Sequence, residues 1–363
     1  MSQLDVVIKE MAKKYGDDIA SYGVARTEYD KIPFTSPRLN YMCYGGLPVG
    51  RIYEFAGPES SGKTSTAFDI IHQAQLKYKD TEKRVVFVDI EGTYDEVWAS
   101  KFGVDSSKVL IVTPKTLPAE DVLTLCRNIL DSDEVSLMVI DSIATLVPGQ
   151  LMGTDMSQKA YGGIAIPLTR FVNEVKGLLQ AHNSTLICIN QVREDLNSMF
   201  GGTITPGGRA FKHACSGRFE FRKGKFIDKD GKELTNNAEN PAGNLVHMVV
   251  KKSKVFRSDR RVGYYTLSYL EGPQIYSDYI DVGLQVGVIN QRGAYFDIVD
   301  TSTGEILNTE KIQGRTKLRD MLKQNPEWIK LIDNAMNDKS VEEVVDANIL
   351  ADANKLVNTA KDE

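Results

Sequence analysis

The chain has 363 residues, 42% of them hydrophobic and 26% charged, a balance that excludes a low-complexity or wholly disordered protein and predicts a buried core without disulfide or zinc staples. The formal net charge of −5 argues, taken as an average, against a nucleic-acid binder. No stretch nears the roughly 18 uninterrupted apolar residues of a membrane span, and the N-terminus reads as no signal peptide. Cys43, Cys126, Cys188 and Cys215 are scattered without ligand spacing and read as small buried hydrophobes of a reducing, cytoplasmic compartment.

The first element is a short amphipathic helix, because Leu4, Val7, Ile8, Met11 and Tyr15 recur at helical spacing before Gly16-Asp17-Asp18. It packs either on its own core or on a neighbouring subunit; the pattern leaves both open. Residues 22–50 read as irregular. A regular alternation follows. It has strands at 51–55, 84–90, 109–113, 136–142 and 184–191, and helices at 65–77, 118–130 and 166–181. Such alternation predicts crossover units and a mostly parallel sheet with helices on both faces. Beyond 215 the texture changes to strands at 217–223, 244–256 and 262–270, an antiparallel extension with a hydrophilic excursion at 224–243. Residues 275–363 carry helical patterns at 278–287, 315–323, 326–336 and 340–358 around a Gly-Ala-Tyr-Phe strand, the pattern of a small α/β domain.

Gly57-Pro58-Glu59-Ser60-Ser61-Gly62-Lys63-Thr64 matches G-x-x-x-x-G-K-[ST], the phosphate-binding loop. The glycines let successive N–H groups turn inward, and the helix that follows adds its positive end. Lys63 is placed for the β- and γ-phosphates of ATP and the Thr64 hydroxyl for Mg²⁺. Asp141 closes the apolar run Leu137-Met138-Val139-Ile140, a position suited to holding Mg²⁺ through water. Glu91, after Asp89-Ile90, and Gln191, after Asn190, also sit at strand C-termini, where parallel sheets bind ligands. One carboxylate there can polarise an attacking water, and one amide can sense the γ-phosphate. Three such groups beside one phosphate loop make a constellation.

Loops 149–163 and 192–208 are long for a compact α/β domain and rich in glycine. Their apolar residues, Leu151, Met152, Met156, Met199 and Phe200, either pack back on the body or wedge between bases. Local charge departs from the average. Residues 209–225 hold six cations against Glu220 alone, and 251–261 hold six against Asp259 alone, +5 in each case; 333–363 carry −5. A basic run directly after a loop that leaves the nucleotide site is well placed to meet a polyanion.

The segments LPVGRIYEFAGPESSGKTS, VVFVDIEGTYDEVWASKFGVD, VSLMVIDSIATLVP, STLICINQVR and MFGG…TPGGRAFKHACSGRFEFRK together resemble the RecA recombinases, over a span from the N-terminal helix to about residue 335. The resemblance implies three parts. They are an N-terminal polymerisation helix and linker (1–30), a RecA-type ATPase core (31–272) and a small C-terminal domain with an acidic tail (273–363). It implies an ATP- and Mg²⁺-dependent protein that forms a helical homo-oligomeric filament on single-stranded DNA and exchanges strands with homologous duplex, with single-strand-binding and loader proteins as further partners and no membrane. Gly57 to Ser65 would cradle the nucleotide, with Thr64 and Asp141 at the metal. Glu91 would activate water, Gln191 would report the γ-phosphate, and Asp95, Trp98 and Tyr269 would flank adenine. Loops 149–163 and 192–208 would be the DNA loops, with Arg193, Met199, Phe200, Gly207, Gly208, Arg209 and Lys212 as contacts. Lys252 and Lys254, or Lys251 in place of one, would reach the neighbouring subunit's ATP.

One loop and two positions depart from the family pattern. The first loop differs from the bacterial form, Trp98 stands where Tyr is usual, and His213 where Phe is usual. The Lys-Ser-Lys segment and the Thr-Gly-Glu turn are similar to phage UvsX-type recombinases. The alternatives for such a core are a hexameric helicase or remodeller and a non-hydrolysing coat protein for single strands.

Overall fold

The computed structural model describes residues 2–15, 29–155, 163–194, 203–229, 231–235 and 237–338. The predicted helix at 340–358, Met156, Met199 and Phe200 lie outside the described residues. The chain divides into two compact units, 1–30 and 31–363.

The first unit contains α1 (Gln3–Tyr15). Its start is a reciprocal cap. The Ser2 hydroxyl accepts from the Asp5 N–H at 3.2 Å, and the Asp5 carboxylate accepts from the Ser2 N–H at 2.8 Å. Leu4, Val7 and Met11 stand on the exposed surface of this helix.

The second unit opens with β1 (Lys31–Ile32), α2 (Pro37–Met42) and β2 (Leu47–Pro48), with β1 and β2 antiparallel. Helix α2 lies in the stretch expected to be irregular. Ser36 caps it by accepting from the Leu39 N–H, and Pro37 fits its first turn, where no N–H is needed. Six residues are too few for a periodic signal, so only the cap could have revealed it.

The chain then alternates through β3 (Ile52–Gly57), α3 (Lys63–Lys77), β4 (Arg84–Asp89), the short α4 (Glu96–Ser100), β5 (Val109–Val112), α5 (Ala119–Asp131), β6 (Val135–Asp141), α6 (Ala165–Ala181) and β7 (Thr185–Gln191). A two-stranded ribbon, β8 (Arg193–Glu194) with β9 (Thr203–Ile204), leads to α7 (Gly208–Ala214). Next come β10 (Gly217–Ile227), β11 (Gly243–Ser253), β12 (Val262–Ser268) and β13 (Gly272–Pro273).

One nine-stranded sheet results, in the order β13-β12-β11-β10-β3-β7-β6-β4-β5. From β10 to β5 every neighbour pair is parallel; β10-β11-β12-β13 is the antiparallel extension. Alternation assigns side chains to the two faces. Val85, Phe87, Leu137 and Val139 join Phe68 of α3 in one core, while Val86, Val88, Met138 and Ile140 join Val122 of α5 and Phe171 of α6 in the other.

The remaining elements are α8 (Ile275–Val286), β14 (Ile289–Arg292), β15 (Tyr295–Ile298), β16 (Ile312–Gln313), α9 (Gly314–Gln324) and α10 (Pro326–Asp338). Strands β14 to β16 form a small antiparallel sheet, and Ile280, Phe296, Leu318, Trp328 and Ile332 build a third core around it. Tyr41 of α2 packs into that core. Buried Asp278 of α8 accepts from the Thr266 N–H of β12 at 3.1 Å and from its hydroxyl at 2.6 Å, so the zone is joined to the large sheet.

Candidate nucleotide site

The phosphate loop runs from the end of β3 to the start of α3. Steric room dictates both of its motif glycines. A Cβ on Gly57 would lie 2.5 Å from the Phe221 carbonyl oxygen, and one on Gly62 2.6 Å from a Val246 methyl. Gly62 also has φ +94°, a backbone that side chains disfavour. It is the N-cap of α3 and offers no side-chain acceptor, so the first N–H groups of that helix face the loop. Lys63 is buried, and its ammonium donates to the carbonyls of Gly57 (3.0 Å) and Pro58 (2.6 Å). Burial lowers the pKa of this ammonium, while the charges of Asp141, Glu91 and Glu59 oppose that shift.

Asp141 ends β6 and accepts from the Thr64 hydroxyl at 2.7 Å. Burial pushes its carboxyl up to about 6, against the pull of that hydrogen bond. The two side chains come from different motifs, 77 positions apart, and supply hard oxygen donors of the kind Mg²⁺ takes.

Glu91 lies two residues beyond β4. Asp89 forms the turn that carries it, by accepting from the N–H groups of Thr93 and Tyr94, each at 3.0 Å. The Glu91 carboxylate accepts from the Ser142 hydroxyl and, at 3.4 Å, from the Gln191 amide. Lys63, Thr64, Asp141, Glu91 and Gln191 thus gather at the C-terminal ends of four adjacent parallel strands. Ser142 was not singled out from the sequence; it reads there as the residue after a strand-end acid.

Beside the loop is a cavity of about 550 Å³ lined by Ser60, Gly62, Ser65, Trp98, Lys223, Phe226, Asn244, Val246 and Tyr269, among others. Trp98 donates its indole N–H to the Ser65 hydroxyl at 3.2 Å, and Tyr269 donates to Asn244 at 2.8 Å. Asp95 is exposed and caps α4 by accepting from the Trp98 N–H at 2.9 Å. That cap holds the first turn of the helix that carries Trp98. Lys223 and Phe226 enter from β10, with the Lys223 ammonium 4.5 Å from the Phe226 ring centre and 5.9 Å from that of Tyr269. Only the order of strands in the sheet brings β10 here.

The second loop leaves Gln191 through the β8-β9 ribbon, where Arg193 donates to the Ala144 carbonyl at 3.4 Å. Gly207 and Gly208 have φ of +103° and +76°. A Cβ on either would press on α6, 2.8 Å from Leu168 or 2.9 Å from Ala165. Arg209 is exposed and Lys212 half-buried on α7. The three lysines of β11 and its end divide. Lys252 donates to the Lys212 and His213 carbonyls at 2.5 and 3.1 Å, and Lys254 to the His213 carbonyl at 2.5 Å. Both therefore cap the negative end of α7. Lys251 pairs instead with Glu220 at 2.9 Å.

A mostly parallel sheet with a phosphate loop after one central strand, and acids and an amide at the neighbouring strand ends, defines a P-loop nucleotide-binding protein with a RecA-type core. A family model described as the RecA N-terminal domain matches residues 2–266. Relatives named Protein RecA align over most of the chain. The one from Ruminococcus albus is 31% identical, covering 95% of this chain and 82% of its own length. That from Bacteroides thetaiotaomicron is 32% identical over 90% and 92%, and that from Bacillus pumilus 31% over 91% and 90%. The chain belongs to the RecA family of DNA recombinases.

Proposed function

We propose that the chain is a DNA-dependent ATPase that assembles as a filament on single-stranded DNA and exchanges its strand with homologous duplex. The observation that carries this reading is the convergence of Lys63, Thr64, Asp141, Glu91 and Gln191, with Gln191 opening directly into the ribbon of the second loop.

In this reading the loop N–H groups and Lys63 bind the phosphates. Thr64 and Asp141 hold Mg²⁺, which when bound neutralises charge on the β- and γ-phosphates. Trp98 and Tyr269 flank the base. Glu91 takes a proton from the attacking water, held in place by Ser142 and Gln191. Gln191 transmits the state of the γ-phosphate to Arg193 and to the loop contacts Met199, Phe200, Gly207, Gly208, Arg209 and Lys212. Lys252 and Lys254, close together at the end of α7, act across the subunit boundary on developing phosphate charge. The exposed Leu4, Val7 and Met11 support a role for α1 in joining subunits. Four free, buried cysteines fit a reducing cytoplasm.

The test is strand exchange between a circular single strand and homologous linear duplex, with and without ATP. Joint molecules and nicked circles are expected only with ATP. Failure to form them, or closed rings in place of filaments under the electron microscope, would overturn the reading.

A further inference from the structure

Beneath Gln191 lies a partly buried polar network that the site described above does not use. Glu54, in the middle of β3, has no solvent exposure. In the sheet it stands opposite Arg218 of β10, and the strand on its other side carries Asn190 two residues further up the same face. Glu54 accepts from the Arg218 guanidinium and, at 2.8 Å, from the Asn190 amide. Both donors continue to the stem of the second loop. The Asn190 amide also donates to the Pro206 carbonyl at 3.0 Å, and Arg218 donates to the Thr205 hydroxyl at 3.3 Å.

An ion pair is a poor way to fill this core. The same cluster holds Ile52, Leu186, Cys188 and Phe211 around the buried Glu54, with Arg218 half-buried, and apolar replacement of a buried pair is often neutral or stabilising. What an apolar residue could not do is hold two points of a loop stem through two different donors. The position matters as much as the bonds. Asn190 directly precedes Gln191, whose amide reaches Glu91, and Thr205 and Pro206 directly precede the Gly207-Gly208 corner packed on α6. Among the described residues, the Asn190 side-chain oxygen is buried with no donor.

We propose that Glu54, Asn190 and Arg218 are positioning residues that clamp the stem of the second loop to the strand carrying Gln191. They set how strongly nucleotide and DNA binding influence each other, and form neither site. This rests on the function proposed above.

The experiment uses the full chain and measures a coupling factor. That factor is the ratio of dissociation constants for a fluorescent single-stranded oligonucleotide without and with Mg²⁺ and a non-hydrolysable ATP analogue. The variants are Glu54→Gln, the doubly neutral Glu54→Gln/Arg218→Gln, and Thr205→Val, which removes only the loop contact. Binding of a fluorescent ADP without DNA and thermal unfolding are followed in parallel. The coupling factor should fall about tenfold in the Glu54 variants and a few-fold in Thr205→Val, while ADP affinity stays within about threefold of wild type. The double variant should regain thermal stability over Glu54→Gln without regaining coupling. A coupling factor unchanged in every folded variant would overturn the clamp, as would one that returns with stability in the double variant. A wild-type ratio of one would instead remove the functional reading on which the clamp depends.

Discussion

Gly62→Ala offers a direct test of the phosphate loop. The substitution carries two separate penalties. An alanine at φ +94° costs about 1–2 kcal/mol of backbone strain. Its Cβ would also meet the Val246 methyls at 2.6 and 2.9 Å, an overpacking that costs about 1–3 kcal/mol. If the loop must take its present shape to bind phosphate, even the lower sum of about 2 kcal/mol weakens nucleotide affinity about 30-fold. The two penalties can be separated, because Val246→Ala removes both methyls and leaves only the Val246 Cβ, at 3.4 Å. Equilibrium titration with fluorescent ADP should show Gly62→Ala at least about 30-fold weaker than wild type. Gly62→Ala/Val246→Ala should recover about tenfold, measured against Val246→Ala alone. Affinity for Gly62→Ala within threefold of wild type would refute the reasoning. A double variant no better than the single would show that the contact with β11 plays no part.

Three further outcomes are expected. Glu91→Gln should reduce DNA-stimulated ATP hydrolysis at least about a hundredfold while ADP affinity changes less than about threefold; unchanged turnover would remove Glu91 from the reaction. The chain has two tryptophans, and Trp328 is buried in the third core, so Trp328→Phe leaves Trp98 as the sole indole reporter. ADP should still change its emission, and a signal that survives in Trp98→Phe instead would place the base elsewhere. Burial raises the Asp278 carboxyl to about 7, far above the roughly 3.9 of an unfolded chain, so folding takes up a proton there. That contribution is present at low pH and lost as pH rises through 7. From pH 5 to pH 8 the wild-type Tm should therefore fall several degrees further than that of Asp278→Asn; parallel profiles would contradict the assignment.

Much of the nucleotide site was legible in the residue order, because its parts obey local rules. A G-x-x-x-x-G-K-T run between a strand and a helix needs a phosphate loop, and an acid ending an apolar run lands at a strand's C-terminal edge. Lys63, Thr64, Asp141, Glu91 and Gln191 could be named on that basis, and the structure brings all five together. Helix α2 was missed because it is short and its signal is a cap. Asp95 was expected beside the base, and it caps α4 one turn from Trp98, a pairing that the cap residue three positions before Trp98 already signals.

What sequence alone determined was the set of chemical groups and the alternation of strands and helices, since propensity, periodicity and motif spacing act within a few residues. Pairings across the chain were decided by tertiary structure. Strand order brought β10 and β11 beside the phosphate loop, so that Val246 dictates a glycine at 62, and Lys223 and Phe226 line the base-side cavity. Register set Glu54 opposite Arg218 and two residues below Asn190. The capping of α7 separated Lys252 and Lys254 from Lys251. Each of these joins residues separated by tens to nearly two hundred positions. No local rule links them, because which strands become neighbours depends on how the whole sheet buries its two faces.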